Sequence, residues 1–221
     1  MILPWKRWYG KEIGDIATAF DEYVNQYDSD LKKWLYDAPE KAAKRLATRL
    51  PPHSRILDVG CGTGLVGVEL NKLGFTNIDG LDISERSLNV AESRLAENKE
   101  IYWNLSYMNL NWDIYHSLFD LQILLPTNPY DGIICVGVLT YLEDIPSVLL
   151  KLIKLVRTGG EIELTQRSDM YKYYNLHKDL TAMVDAELIS NLEITDPCLF
   201  LPKHEEYGEE VLVHYINFTV L

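Results

Sequence analysis

The segment from Arg55 to Gly64 constrains the fold of this chain more than any other. A short apolar run, Arg55-Ile-Leu-Asp-Val59, leads directly into Gly60-Cys-Gly-Thr-Gly64, and apolar residues at helical spacing follow. Glycine adopts left-handed backbone conformations and lets a ligand approach the main chain where a Cβ would clash. We therefore predict a strand, a tight turn and a helix, with the turn as a candidate ligand site.

Strand and helix patterns alternate along most of the chain. Apolar runs bounded by turn residues predict further strands over 78–82, 101–110, 130–137 and 161–165. Helical spacing of apolar residues predicts helices over 16–36, 39–50, 66–73, 84–95 and 148–156, with an extra helix over 114–125. Because parallel strands need crossover connections, this order indicates an α/β fold with right-handed crossovers.

The C-terminal part departs from this alternation. It predicts a helix over 180–188, a strand near 192–194 and a strand over 211–221 that no helix follows. A strand without a crossover helix pairs most simply in the antiparallel sense, so we expect an antiparallel hairpin at one edge of the sheet. We interpret the chain as one domain, with an N-terminal helical cap over 1–50 and an α/β core over 54–221.

The acidic composition excludes one class of partner. The chain has 33 Asp and Glu against 21 Lys and Arg, a net charge of −12, and no run of basic residues. Surfaces that bind nucleic acid cluster cations to neutralise phosphates. We therefore expect no nucleic-acid partner.

The cysteines and the apolar runs exclude further classes. Cys61, Cys135 and Cys198 lie far apart, which predicts neither a disulfide framework nor a zinc site, and we expect no metal. No apolar run approaches the length of a membrane span, and the N-terminus lacks a signal-peptide core. We expect a cytoplasmic protein without membrane contact, as a monomer or a weak dimer.

Two carboxylates accompany the glycine turn. Asp58 lies in the strand before the turn, and Asp82 ends the next predicted strand. Ligands of open α/β sheets bind beyond the carboxyl ends of the strands, and a carboxylate at the second strand's end can accept hydrogen bonds from both hydroxyls of a ribose. The spacing therefore indicates a cofactor that contains ribose.

Two cofactors fit this pattern to different degrees. Gly62-Thr-Gly-Leu-Val-Gly67 matches the dinucleotide pattern G-x-G-x-x-G, so an NAD(P)-dependent oxidoreductase is one hypothesis. However, Asp58 would repel a pyrophosphate at this turn. S-adenosylmethionine has no phosphate, and its ammonium group seeks acceptors such as Asp58 and the Gly60 carbonyl. The residues favour S-adenosylmethionine and leave the nicotinamide cofactor as the alternative.

At Asp58-Val-Gly-Cys-Gly-Thr-Gly64 the sequence resembles the first motif of the class I S-adenosylmethionine-dependent methyltransferases. More narrowly, it is similar to the methyltransferase-like proteins named for the Williams–Beuren syndrome region. That similarity rests on segments in the same order, among them Phe20-Asp-Glu-Tyr, Tyr36-Asp-Ala-Pro39, Val136-Gly-Val-Leu139 and Arg157-Thr-Gly-Gly160. The resemblance implies methyl transfer from S-adenosylmethionine and a Rossmann-like fold with a seven-stranded, mostly parallel sheet.

The resemblance also implies roles for residues near the first two strands. Gly60, Cys61 and Gly62 are expected to line the methionine portion of the cofactor. Asp82 is expected to hold the ribose, and Ile83 to pack on the adenine.

Further roles follow from the resemblance for residues later and earlier in the chain. Asn109 and Leu110 stand where the family usually has Asp-Leu, at the adenine amino group, and Asn keeps an acceptor oxygen without the charge. Gly137, at the end of the fourth strand, is expected beside the sulfonium. Tyr27, on the leading helix, is expected to close over the cofactor.

The acceptor side is less specific. Tyr141 and Arg167 follow predicted strands at the end where substrates bind, and we regard them as weak candidates for catalysis, with Arg167 able to hold a substrate carboxylate. His177 and His204 are expected to be solvent-exposed and without a catalytic role, so no general base is identified. We favour a methyltransferase for a small molecule. The alternative of another class is a module that binds S-adenosylmethionine and acts through a protein partner with little catalysis.

Overall fold

A computed structural model describes residues 13–96, 99–110 and 129–221 of the chain. Its helices are α1 (Ile13–Lys33), α2 (Ala38–Ala47), α3 (Leu65–Lys72), α4 (Glu85–Glu92), α5 (Ile145–Leu155), α6 (Ser168–Tyr173) and α7 (Leu176–Asp185), with a 3-10 helix at Leu139–Tyr141. Its strands are β1 (Arg55–Val59), β2 (Asn77–Asp82), β3 (Leu95–Ala96), β4 (Lys99–Glu100), β5 (Asn104–Tyr107), β6 (Tyr130–Cys135), β7 (Val156–Arg167), β8 (Ile189–Ile194), β9 (Cys198–Leu199) and β10 (Leu212–Val220).

The main sheet runs in the order β5-β2-β1-β6-β7-β10-β8, and the short strand β9 pairs with β10. Strands β5, β2, β1, β6 and β7 are parallel to one another, whereas β10 is antiparallel to both β7 and β8. The predicted α/β fold with a mostly parallel sheet and an antiparallel edge is therefore confirmed. Within that edge, β8 is the outer strand and β10 lies between β7 and β8.

Helices cover both faces of the sheet. Consecutive residues on the central strands point to opposite faces, so that Ile56 joins one buried cluster while Leu57 joins the other. The cluster of Ile56 packs against α2, α3 and α4, and the cluster of Leu57 packs against α5 and α7. A parallel sheet buried on both sides needs near-continuous apolar strands, which explains the predicted apolar runs.

Local sequence signals begin and end these helices as expected. The Ser84 hydroxyl accepts a hydrogen bond from the Ser87 amide at the start of α4, and the Asp144 carboxylate accepts one from the Ser147 amide at 3.0 Å at the start of α5. Gly74 follows α3 with a φ of 92°, a conformation that suits glycine after a helix end.

Two observations bear on other expectations from the sequence. The predicted helix over 114–125 lies outside the described residues. None of the helices in the described part of the chain combines the length and the apolar character that a membrane crossing requires.

Candidate functional site

The glycine turn lies at the carboxyl end of β1 and is held against β2. The amides of Gly60 and Cys61 both donate to the carbonyl oxygen of Leu81, at 2.8 Å and 3.0 Å. Gly60, Gly62 and Gly64 have φ values of 69°, 53° and 88°, in the left-handed region that favours glycine. A Cβ on Gly62 would meet no atom within 4 Å. The turn therefore presents bare main chain to an open space.

That open space is a cavity of about 820 Å³, including volume that is open to solvent, and we call it the glycine-loop cavity. It lies between the carboxyl ends of the parallel strands and helix α1. Its walls combine the glycine turn, the loops after β2, β5 and β6, and one face of α1, as follows: Ile16, Phe20, Val24, Tyr27, Gly60, Gly62, Thr63, Leu81, Asp82, Ile83, Ser87, Met108, Asn109, Leu110, Val136, Gly137, Val138, Tyr141 and Leu142.

Asp82 is the carboxylate that lines this cavity. Its Oδ2 accepts a hydrogen bond from the Gly62 amide and its Oδ1 accepts one from the Ser84 amide, both at 2.8 Å. Burial raises the pKa of Asp82, and these two amides lower it. Each carboxylate oxygen has a second lone pair. Asp82 is therefore fixed in place with acceptor capacity left for two vicinal hydroxyls, which fits a ribose.

The remaining positions expected at the cofactor divide into two groups. The first group lines the glycine-loop cavity together with Asp82 and comprises Tyr27, Gly60, Gly62, Ile83, Asn109, Leu110 and Gly137. The Cys61 thiol is buried away from the cavity lining, next to Gly80. Asp58 is also absent from the lining. The fold thus brings most of the predicted cofactor residues to the cavity. It leaves the side chains of Cys61 and Asp58 beneath the glycine turn.

Asp58 occupies a fully buried position under the glycine turn. The Tyr102 hydroxyl donates to Asp58 Oδ2 at 2.7 Å and accepts from the Gly67 amide at 3.1 Å, and no described residue bonds Asp58 Oδ1. Burial raises the pKa of Asp58 to about 7, against the opposing effect of the Tyr102 hydrogen bond. A carboxyl with this pKa is partly neutral near pH 7. The repulsion that we predicted between Asp58 and a pyrophosphate is therefore smaller, and it argues less strongly against a dinucleotide.

A second cavity adjoins the first on the side of the loop after β6. It has a volume of about 540 Å³, including space open to solvent, and we call it the aromatic chamber. The residues that line it are mostly aromatic: Phe20, Tyr23, Tyr27, Leu31, Tyr36, Gly137, Tyr141, Arg167, Phe200 and Leu201. Phe20, Tyr27, Gly137 and Tyr141 line both spaces. The two cavities therefore adjoin along these four residues, with Gly137 among them.

The backbone at this junction is fixed by β7. Gly137 has a φ of 76°, and its amide donates to the Thr165 hydroxyl at 2.8 Å. A Cβ built on Gly137 would lie 3.4 Å from the Tyr36 hydroxyl. A larger residue would consequently be strained here and would fill part of the passage between the cavities.

The two weak catalytic candidates both contact the aromatic chamber. Tyr141 is on the 3-10 helix after β6, and Arg167 ends β7. The Arg167 guanidinium bonds the Asp169 carboxylate, with its Nε 3.1 Å from Oδ1. Its side chain is 13% exposed, whereas that of Asp169 is 59% exposed. Arg167 therefore points into the protein, and its acidic partner faces solvent.

The tyrosine hydroxyls of the chamber are protonated at neutral pH. Burial raises the pKa of Tyr141 to about 12, and it raises the pKa values of Tyr27 and Tyr36 further. Tyr23 donates its hydroxyl to Asp30 at 2.6 Å. These hydroxyls can donate and accept hydrogen bonds, and they do not act as anionic bases at neutral pH.

Helix α1 is bound to the loops on either side of the glycine-loop cavity. Asp21 accepts from the Ser84 hydroxyl at 2.6 Å, and Asp28 accepts from the Thr63 hydroxyl at 2.6 Å and from the Arg94 guanidinium. Phe20, Tyr27 and their neighbours on the same face then cover the cavity. Acidic residues on α1 thus hold its aromatic face over the glycine turn.

Sequence reasoning missed much of the aromatic chamber. Phe20, Tyr23 and Tyr27 share one face of α1 at spacings of three and four residues, which was the available signal. Tyr36 and Phe200 come from separate loops, and no local pattern connects them.

The expectation that His204 is solvent-exposed was wrong. It is buried between Trp34 and Tyr207, with ring centroids at 4.5 Å and 4.9 Å, because the loop after β9 packs against the end of α1. His177 is exposed. Within the described residues, no group of three or more His, Cys, Asp or Glu side chains is arranged to hold a metal ion.

Comparison with known proteins identifies the family of this architecture. A family model described as a methyltransferase domain matches residues 27–194. Methyltransferase-like protein 27 of Homo sapiens is 33% identical over 153 residues, which cover 68% of this chain and 57% of that protein. A ubiquinone biosynthesis O-methyltransferase of Dechloromonas aromatica is 30% identical over 135 residues, which cover 61% of this chain and 51% of that protein. The chain spans about half the length of these relatives.

The solved structures agree on the fold. A protein of Thermotoga maritima, described as an S-adenosylmethionine-dependent methyltransferase and possible histamine N-methyltransferase, superposes with a TM-score of 0.59 at 14% identity. The match covers 92% of this chain and 98% of that one. At this level of identity the similarity concerns the fold alone.

Proposed function

Since the chain belongs to the class I S-adenosylmethionine-dependent methyltransferases, we propose that it transfers a methyl group to a small-molecule acceptor that binds in the aromatic chamber. S-adenosylmethionine is the cofactor of the family, which decides against the nicotinamide alternative. The observation that carries the proposal is that two cavities adjoin along four residues, with Gly137 among them. One has the features of a nucleoside site, and the other has a size suited to a small ring-bearing molecule.

The glycine-loop cavity provides the groups that this cofactor requires. Gly60 and Gly62 offer main chain to the methionine portion, and Asp82 offers two fixed acceptors to the ribose hydroxyls. Ile83 and Leu110 supply apolar contact for the adenine. Asp58 and Cys61 support the turn from below, and we assign them no direct contact.

The cofactor supplies an electrophilic methyl group on a sulfonium. The chain contributes alignment and exclusion of water: Phe20 and Tyr27 on α1 cover the junction, and Gly137 leaves the passage open for an in-line approach. None of the described residues that line the aromatic chamber is Asp, Glu or His. An acceptor atom that is already deprotonated, such as a carboxylate oxygen, would need no base from these residues.

Two further observations support a small acceptor. The chamber is walled by α1 and by the loop after β9, which suits a small molecule better than an extended peptide. The relative from Dechloromonas aromatica is named for an O-methylation in ubiquinone biosynthesis. The division into a helical cap over 1–50 and a core over 54–221 stays a prediction.

Calorimetric titration with S-adenosylhomocysteine tests the cofactor site. We expect saturable binding to the wild-type protein and a loss of about tenfold or more in Asp82→Asn, because an amide cannot accept two hydroxyl hydrogen bonds in the same way. Asp196→Asn, at an exposed position after β8, is the matched control and should bind as the wild type does. Absence of binding to the folded wild-type protein would refute the proposal.

Turnover distinguishes catalysis from binding alone. A panel of small phenols, carboxylates, thiols and amines is incubated with radiolabelled S-adenosylmethionine, and labelled product is measured. Cofactor binding without turnover on any member would favour the alternative of a binding module that acts through a partner.

A further inference from the structure

We propose that the acceptor is an anion: a small molecule that carries a flat apolar ring and a carboxylate, with the ring among the aromatic side chains of the chamber and the carboxylate on Arg167. This inference rests on the proposed function, because it names the class of molecule that the aromatic chamber admits. The net charge of −12 by itself would favour a cationic acceptor.

The charges at the chamber wall favour an anion. Arg167 lines the chamber, and the described lining residues include no carboxylate. A cationic amine would therefore lose its hydration beside a guanidinium, without an acidic partner. A carboxylate would instead meet the planar fork of N–H donors that suits its two oxygens.

The tyrosines add donors of the same kind. Tyr27, Tyr36 and Tyr141 carry hydroxyls in the chamber or at its junction with the glycine-loop cavity. A tyrosine hydroxyl is protonated at neutral pH, and burial raises the pKa of all three further. Each hydroxyl can donate a hydrogen bond to a carboxylate, although its oxygen can also accept one. Among the described lining residues, the Arg167 guanidinium is therefore the group that favours an anion over a cation.

The ion pair with Asp169 leaves room for this role. Asp169 is 59% exposed, whereas Arg167 is 13% exposed, so solvent reaches the pair from the side of the aspartate. A guanidinium has five N–H donors, and an incoming carboxylate can therefore share it with Asp169. The same pair also holds the guanidinium at the chamber wall before the acceptor arrives.

The aromatic walls specify the rest of the molecule. Phe20 and Tyr141 pack edge to face at 5.7 Å, and Tyr36 and Phe200 do so at 5.0 Å. Rings in this arrangement present flat faces and edges that pack well against another planar ring. An acceptor with a ring and a carboxylate would contact both the aromatic walls and the Arg167 guanidinium.

Binding of three probes with the same ring tests this inference. Benzoate, benzamide and benzylammonium are titrated calorimetrically into the protein saturated with S-adenosylhomocysteine. We expect benzoate to bind about tenfold or more tightly than either other probe, because a hydrogen bond to a charged group is stronger than one to a neutral group. Equal binding of the three, tighter binding of benzylammonium, or no binding of benzoate would overturn the inference.

Substitutions identify the residue responsible. Arg167→Gln should remove the preference for benzoate over benzamide, and Arg167→Lys should restore part of it. Arg157→Gln is the matched control, because Arg157 lies on the same strand and also pairs with an aspartate, Asp131, near the opposite end. Preference that survives in Arg167→Gln would refute the assignment.

The same titrations without the nucleoside separate this inference from the proposed function. Failure of S-adenosylhomocysteine to bind, with the benzoate preference intact, would refute the cofactor site and retain the anion-binding chamber. Nucleoside binding without a benzoate preference would refute the anion-binding chamber and retain the cofactor site.

Discussion

Removal of the Tyr102 hydroxyl should destabilise the protein more at alkaline than at acidic pH. In Tyr102→Phe, Asp58 loses the donor at 2.7 Å and the Gly67 amide loses its acceptor at 3.1 Å. Asp58 is 0% exposed and Tyr102 is 4% exposed, so water does not readily replace either bond. Burial raises the pKa of Asp58 from 3.8 to about 7. The cost of losing the hydroxyl therefore depends on whether Asp58 is charged.

The sign follows from the direction of that pKa change. The folded protein binds the Asp58 proton more tightly than the unfolded chain does, so this group favours folding most below about pH 4 and loses that contribution as the pH rises to about 7. At about 1.4 kcal/mol for each tenfold change in proton affinity, the wild-type protein loses about 4 kcal/mol from Asp58 over that range.

The destabilisation caused by Tyr102→Phe also depends on pH. Near pH 5, Asp58 is protonated in the folded state, and the lost bond is worth about 1 kcal/mol. Near pH 8.5 it is a carboxylate, and the lost bond is worth about 2 to 3 kcal/mol. Loss of the Gly67 bond adds about 1 kcal/mol at both pH values. The expected signal is an extra destabilisation of about 1 to 2 kcal/mol at the higher pH.

Urea unfolding of the wild-type and variant proteins at both pH values measures this difference. Tyr130→Phe is the matched control, because the Tyr130 hydroxyl is buried and donates to Asp79 Oδ2 at 2.9 Å, where Arg55 pairs with the same carboxylate. Its cost should be equal at the two pH values. A cost of Tyr102→Phe that is also independent of pH, or larger near pH 5, would show that Asp58 does not titrate as described.

Two other substitutions test the glycine turn and helix α1. Gly67→Ala should lower the free energy of unfolding by about 1 to 3 kcal/mol, because the added Cβ would overlap the Tyr102 ring; a more stable variant in urea unfolding would contradict the packing. Asp28→Ala removes the bonds from Thr63 and Arg94 and should speed dissociation of S-adenosylhomocysteine by about fivefold in stopped flow, whereas Glu22→Ala, at an exposed position on the same helix, should leave that rate unchanged.

The sheet and the glycine turn could be predicted from the sequence because their signals are local. A strand that runs into Gly60-Cys-Gly-Thr-Gly64 leaves few alternatives, since each residue reports on its own backbone conformation. Asp82 was predicted for a similar reason, at the end of the next apolar strand. The register of β10 between β7 and β8 has no such local signal, because strand order depends on contacts between distant segments.

The environments of Asp58 and His204 could not be predicted for the same reason. Tyr102 bonds the buried Asp58, and Trp34 packs on the buried His204, and in each case the partner lies far away in the sequence. The sequence around a polar residue does not show which distant residues will pack over its side chain. The sequence predicted an exposed ring for His204 and a cofactor contact for Asp58, whereas the fold buries both side chains.

Because Phe20, Tyr27, Gly137 and Tyr141 line both the glycine-loop cavity and the aromatic chamber, we expect occupancy of one space to affect occupancy of the other. A molecule that orders these rings from one side prepares the surface met by a molecule on the other. Thermodynamic reciprocity then requires each to change the affinity of the other by the same factor. We expect helix α1, which carries Phe20 and Tyr27, to transmit any cooperativity between ligands of the two spaces.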